Sequence, residues 1–151
     1  AIDKSLRTRL RWMQSVIKGL VSIHNKGFVH KDIKPDNILI CGDDAKIGGL
    51  GIAVHDHGEG TFKDYLCPQY WADPELLRKQ EYGTSADIFS YGLLFNMVMT
   101  YTRHSRKSVA EFKFPKESPV FFDLIKACSD IDPLRSPTAL KIEEILDKFD
   151  N

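Results

Sequence analysis

The sequence predicts a mainly helical fold with a small antiparallel β element near its start, and three observations carry that expectation. Leu6, Leu10, Met13, Ile17 and Leu20 recur at three- and four-residue spacing over residues 5–26, the stripe of an amphipathic helix. The run "TSADIFSYGLLFNMVMTY" (84–101) is apolar on nearly every side, as in a helix buried all round. Between them, short β-branched runs flank "CGDD" (41–44), a hairpin turn signal. With 151 residues, 42% hydrophobic and 28% charged, the chain has globular composition and can bury a core as a single domain, 1–151.

The first helix carries Arg and Lys opposite its apolar stripe; Ser5 can cap its start, and Gly27 follows "HNK" as its stop. Strands are expected at Phe28–Val29, Ile38–Cys41, Ala45–Ile47 and Ile52–Val54. Residues 55–83 show no period and contain Gly58, Gly60, Pro68 and Pro74. They are expected to form a long ordered loop, and such loops within compact domains are usually functional. Thr84 or Ser85 can cap the buried helix that follows. After an irregular stretch with Pro115 and Pro119, "VFFDLIKACSD" (120–130) and "PTALKIEEILDKF" (137–149) give two more amphipathic helices. Pro137 is expected early in the last one, where its missing N–H does no harm. No repeat, low-complexity tract or linker interrupts the chain.

Charge and cysteine usage exclude several classes. Lys plus Arg and Asp plus Glu are 21 each, so no bulk field attracts nucleic acid or an anionic membrane. The longest mostly apolar stretch, "YGLLFNMVMTY" (91–101), falls short of the ~20 residues needed to cross a bilayer. The start "AIDKSLRTRLRW" lacks the apolar core of a signal peptide. Cys41, Cys67 and Cys128 are widely spread, odd in number and without a metal-type pair, which favours a reducing, cytoplasmic setting.

Chemistry concentrates in "FVHKDIKPDNILI" (28–40), which sets a histidine, two aspartates, two lysines and an asparagine between apolar runs. "HKDIKPDN" resembles the catalytic loop of eukaryotic protein kinases, H-R-D-x-K-x-x-N, and its Lys34-Pro35 is similar to the serine/threonine branch. "WADPE" (71–75) resembles the motif closing the activation segment, with Asp73 for the usual Ala. "SADIFSYGLL" (85–94) resembles the start of the family's central helix, and "DPLRSPTA" (132–139) its late Arg motif. The resemblance covers essentially the whole chain and implies the C-terminal lobe only, with the N-terminal lobe absent.

The roles the resemblance implies are specific. Asp32 would orient the acceptor hydroxyl and take its proton, Lys34 would stabilise the transferring phosphate, and Asn37 would hold a metal. His30 would be structural. Glu75 and Arg135 would form a buried ion pair tying the activation segment to the last helices, and Asp87 would bond the catalytic-loop backbone. Leu39 would touch the adenine of ATP from below. Taken without the resemblance, Asp32 would be a carboxylate satisfying turn amides, and Asp87 a first-turn carboxylate favoured by the helix dipole.

"KIGGLGIAV" (46–54) departs from the family. Where its D-F-G triplet carries the aspartate that binds Mg²⁺, this chain has Gly49-Leu50-Gly51. Asn37 alone is a poor Mg²⁺ site, since that ion takes carboxylate and phosphate oxygens. No G-x-G-x-x-G loop occurs in the sequence. ATP and Mg²⁺ are thus implied by the resemblance, while the chain alone is expected to bind neither. Lys31 replaces the family's Arg and loses its bidentate fork. Pro68 or Gln69 occupies the neighbourhood of the usual Thr before the closing motif, and Thr61, Tyr65 and Tyr70 are the hydroxyls between Gly49 and Glu75 available to phosphorylation. His55 and His57 around Asp56 lack a third ligand, and Asp43 and Asp44 are expected to be solvated turn residues.

Two functions are compatible with this pattern. One is a degraded, pseudokinase-type module that binds a protein partner or itself through apolar surface around Leu39, Ile47 and Leu50, left open without an N-lobe. The other is part of a working serine/threonine kinase that uses Asp32 as base once an N-lobe is supplied.

Overall fold

The computed structural model describes residues 4–55, 83–100, 119–130, 132 and 134–149. Within them the fold is mainly helical, with two small antiparallel ladders. Helix α1 spans Lys4–Asn25, and β1 is Phe28–Val29. β2 (Ile38–Cys41) and β3 (Asp44–Ile47) form a hairpin, and β4 is Val54–His55. Three helices follow: α2 (Thr84–Thr100), α3 (Pro119–Cys128) and α4 (Ala139–Asp147). The strands do not form one sheet. β1 pairs with β4, and β2 pairs with β3 in the register Ile38 opposite Ile47 and Leu39 opposite Lys46.

α1 packs its apolar stripe between α4, α2 and β3. Leu6, Leu10, Met13, Val16, Ile17 and Leu20 are all buried on it. It begins at Lys4, so Ser5 lies in its first turn instead of capping it. It ends where expected: Gly27, at φ 79, returns its N–H to the His24 carbonyl at 2.9 Å. The hairpin is fastened to α1 by polar contacts that the sequence reading missed. Arg11 Nη1 donates to Asp43 Oδ2 at 2.8 Å, and Trp12 Nε1 donates to the Gly42 carbonyl at 2.8 Å. Asp43 is thus solvated in the turn, as expected, and also paired. Ile47 likewise packs against the core beside Gly19, instead of contributing to the open apolar surface expected of it.

α2 is the hub. Residues Ala86 through Asn96 are all buried, so the helix has no solvent face over that length. Tyr91, Phe95 and Phe121 of α3 stack at centroid separations of 5.9 and 5.8 Å, and Phe149 continues the row at 4.8 Å from Phe121. Polar contacts tie this hub to α1: Tyr91 Oη donates to the Met13 carbonyl at 3.0 Å, and Arg9 Nη1 donates to the Met99 carbonyl at 2.9 Å. Gly92 permits the close approach of α3, since a Cβ there would lie 2.6 Å from Cys128 Cβ. In α4 the cap is Thr138, whose side chain accepts from the Lys141 N–H at 3.1 Å. Pro137 precedes that cap and so lies outside the helix, not within its first turn.

The hub sets an alkaline limit on stability. Burial pushes the Tyr91 phenol well above its ordinary 10.0, reinforced by neighbouring Cys128. Burial also pushes the Cys128 thiol from 9.0 up to about 12, against a smaller lowering from a backbone hydrogen bond. The folded state therefore holds protons that the unfolded chain releases. This contribution is whole below pH 9.0 and is lost as pH rises toward about 12. The expected result is a Tm that falls steadily above about pH 9. Iodoacetamide at about pH 8 is expected to modify exposed Cys41 in the native protein and Cys128 only after denaturant is added. Native-state modification of Cys128 at a comparable rate would contradict this account.

Candidate functional site

The polar segment Lys31–Asn37 lies between β1 and β2, and buried α2 anchors it from below. Asp87, in the first turn of α2, is 1% exposed. Its Oδ2 accepts from the His30 backbone N–H at 2.8 Å, and its Oδ1 accepts from the Lys31 N–H at 2.9 Å. His24 Nε2, from the last turn of α1, lies 2.7 Å from Oδ2 as a third partner. Two consecutive amides and an imidazole thus converge on one carboxylate. Lys31 has φ 75, a left-handed conformation rare for a non-glycine residue, and the grip on its N–H holds that turn in place.

His30 is fully buried and joins the loop to the end of the hairpin. The Asp32 backbone N–H donates to its Nδ1 at 3.0 Å, so Nδ1 is the acceptor. Nε2 therefore carries the proton and donates to the Gly48 carbonyl at 2.7 Å. The ring links loop to hairpin; the central helix is reached through the His30 backbone instead.

Asp32, Lys34 and Asn37 come together at the centre. A 3₁₀ turn at Pro35–Asn37 carries Asn37 back toward Asp32. Asn37 Nδ2 donates to the Asp32 carbonyl oxygen at 2.7 Å and to Asp32 Oδ2 at 2.9 Å. Lys34 Nζ stands 3.5 Å from Asp32 Oδ1. That is an ion-pair distance rather than a hydrogen bond, and Oδ1 is buried with no hydrogen-bond partner among the described residues.

The other expected residues stand further out. Leu39 is 61% exposed on β2, and Leu50 is 55% exposed after β3. Arg135 is exposed rather than buried, with Nε 3.6 Å from Asp132 Oδ2. Its expected partner Glu75 lies outside the described residues, as do the whole "WADPE" motif, Thr61, Tyr65, Tyr70, Asp56 and His57. Gly49, with φ 71 and ψ 33, follows β3 directly beside Asn37. Sequence reasoning missed His24. A histidine in the last turn of an amphipathic helix was the available signal, and by itself it says nothing about a carboxylate 63 positions away.

Fold and site together describe a phosphotransferase-type catalytic loop seated on a buried central helix. The protein kinase domain profile matches residues 4–147, and the chain belongs to that family. It is 26% identical over 167 residues to the eukaryotic translation initiation factor 2-alpha kinase pek-1 of Caenorhabditis elegans, covering 93% of this chain and 16% of that protein. It is 30% identical over 146 residues to calcium-dependent protein kinase 25 of Oryza sativa subsp. japonica, covering 83% of this chain and 27% of the relative. The serine/threonine-protein kinase ICK of Mus musculus is 34% identical over 90 residues, covering 58% of this chain and 14% of the relative. The chain thus spans roughly a quarter or less of the length of these relatives.

The residues at hand do not fit the Mg²⁺ that the family uses. Position 49 supplies no carboxylate, and the amide oxygen of Asn37 by itself is a poor match for an ion that takes carboxylate and phosphate oxygens. No group of three or more His, Cys, Asp or Glu capable of holding a metal occurs among the described residues. No described helix is long and apolar enough to cross a membrane.

Proposed function

We propose that this chain is the C-terminal lobe of a serine/threonine-type kinase fold that does not transfer phosphate by itself and acts by binding a protein partner in the cytoplasm. The observation that carries this reading is Gly49. Phosphoryl transfer depends on charge neutralisation by a correctly placed divalent ion, and a glycine there leaves that ion without its carboxylate anchor. Leu39 and Leu50, 61% and 55% exposed, are large apolar side chains flanking this defective site. They fit a surface closed by another polypeptide, whether a second copy, a partner or a small lobe supplied elsewhere.

The test is differential scanning fluorimetry of the chain with millimolar Mg·ATP, joined to a phosphate-transfer assay. The expected result is an unchanged Tm and no transfer; a rise of several degrees would overturn the reading. Sedimentation tests the partner half. A clean monomer that binds no apolar dye counts against it.

A second reading has its own observation. Asp32 is brought together with Lys34 at 3.5 Å and Asn37 at 2.9 Å, the residue set that the family's catalytic loop gathers around its base. In this reading the longer protein is an ATP-dependent kinase, Asp32 takes the hydroxyl proton and Lys34 offsets charge on the phosphate. Transfer by the full-length protein that vanishes on Asp32→Asn would establish it, and transfer indifferent to that substitution would end it.

A further inference from the structure

We propose that Asn37 and Gly49 form an interlock that occupies the family's cation site and closes it, so that restoring a carboxylate at position 49 does not rebuild it. The inference rests on the reading that this chain lacks a divalent-ion anchor and states what the structure has put in its place.

Two hydrogen bonds and one steric overlap define the interlock. The Gly48 N–H donates to the Asn37 carbonyl at 2.7 Å, and the Gly48 carbonyl accepts from His30 Nε2 at 2.7 Å. Gly48 is therefore held through both of its backbone polar groups, from the catalytic loop and from its buried histidine. Gly49 itself is left-handed at φ 71, a conformation that strains any side chain. Beyond that strain there is no room. A Cβ at position 49 would fall on the Asn37 carboxamide, overlapping its Cγ, Oδ1 and Nδ2. The carboxamide has entered the volume that a residue with a side chain would use.

Asn37 cannot step aside cheaply. Its bonds to the Asp32 carbonyl at 2.7 Å and to Asp32 Oδ2 at 2.9 Å both leave from Nδ2. Turning the amide away breaks the two together and leaves a partly buried carboxylate with Lys34 at 3.5 Å as its remaining described partner. Asp32 thus has one carboxylate oxygen, Oδ2, held by the Asn37 amide, and the other beside the Lys34 ammonium without a hydrogen bond. Asn37 acts here as a brace for Asp32, and Gly49 is the vacancy that lets it do so.

A double-mutant cycle on the full-length protein, without nucleotide or metal, tests this. Gly49→Ala is expected to lower Tm by on the order of 5 °C, combining backbone strain with overlap on Asn37. Asn37→Ala removes all three overlapped atoms, so in that background Gly49→Ala should cost less than half as much. Equal losses in both backgrounds would show that strain at φ 71 is the whole effect, and would overturn the interlock. No loss in either would overturn it too. Should Gly49→Ala fail to fold, recovery of a cooperative transition on adding Asn37→Ala supports the proposal, and continued failure overturns it. Gly49→Asp supplies the second readout, titrated with Mg²⁺ or Mn²⁺ alone. Lowered stability with no metal-dependent rise in Tm is expected, and a clear rise would overturn the claim that the site is closed. Mg·ATP binding by the unsubstituted protein would instead refute the functional reading above, and the coupling between positions 37 and 49 would still stand or fall on its own measurement.

Discussion

Asp87→Ala is expected to destabilise the protein by about 3–5 kcal/mol, the range seen when one member of a buried polar cluster is removed and its partners are stranded. Alanine would leave the His30 and Lys31 amides and the His24 ring without their acceptor, in a position only 1% exposed. Each stranded donor costs roughly 1–3 kcal/mol, against a total stability of typically about 5–15 kcal/mol for a domain. Asp87→Asn keeps the shape and one acceptor oxygen, and should lose roughly half as much. Urea denaturation measures the loss. Amide hydrogen exchange separates mechanism from mere packing, because the His30 and Lys31 amides in particular should lose protection. A loss below about 1 kcal/mol, with those two amides still protected, would show that Asp87 does not hold the catalytic loop.

Phe95→Ala should cost a similar amount, about 3–5 kcal/mol, by a different route. Phe95 is fully buried in the middle of the aromatic row, 5.9 Å from Tyr91 and 5.8 Å from Phe121. Truncation loses both ring contacts and leaves a cavity between α2 and α3, two helices already pressed together at Gly92 and Cys128. Close-packed neighbours relax only partly into such a space. Phe95→Leu fills more of it and should cost less than half. Leu134→Ala, at a side chain 93% exposed, is the control and should change stability by less than about 0.5 kcal/mol. Thermal and urea unfolding of the three variants should rank them in that order; an alanine at position 95 tolerated as well as one at 134 would contradict the central placement of α2.

Much of the fold was legible because its signals are local. The stripe on α1 needs only the helical repeat, and Gly27 marked its end because a left-handed C-cap favours glycine. The all-apolar run 84–101 announced a helix without a solvent face, and residues Ala86 through Asn96 are indeed buried. Boundaries slipped where capping is a close choice: Ser5 fell inside the first turn of α1, and Thr138 rather than Pro137 begins the last helix. Asp43 is a solvated turn residue as expected, 57% exposed, but its ion pair was not legible. A turn carboxylate is ordinarily solvated, and nothing in "CGDD" tells that Arg11 will lie 2.8 Å away.

At the site, the octet His30 to Asn37 identified the residues, because a short loop brings its own members together whatever surrounds it. What it could not show is how they are wired. His24 and Asp87 meet across 63 positions, and Gly49 makes room for Asn37 from across the hairpin.

By itself the sequence determined the family, the helical architecture and the missing carboxylate at position 49, since each of these is a matter of residue identity at short spacing. Tertiary structure alone decided that His24 joins Asp87 beneath the loop, that Arg135 is exposed, and that the Asn37 amide fills the space beside Gly49. The physical reason is that such contacts depend on how α1, α2 and the hairpin close-pack, and distances between packed elements leave no periodic trace along the chain.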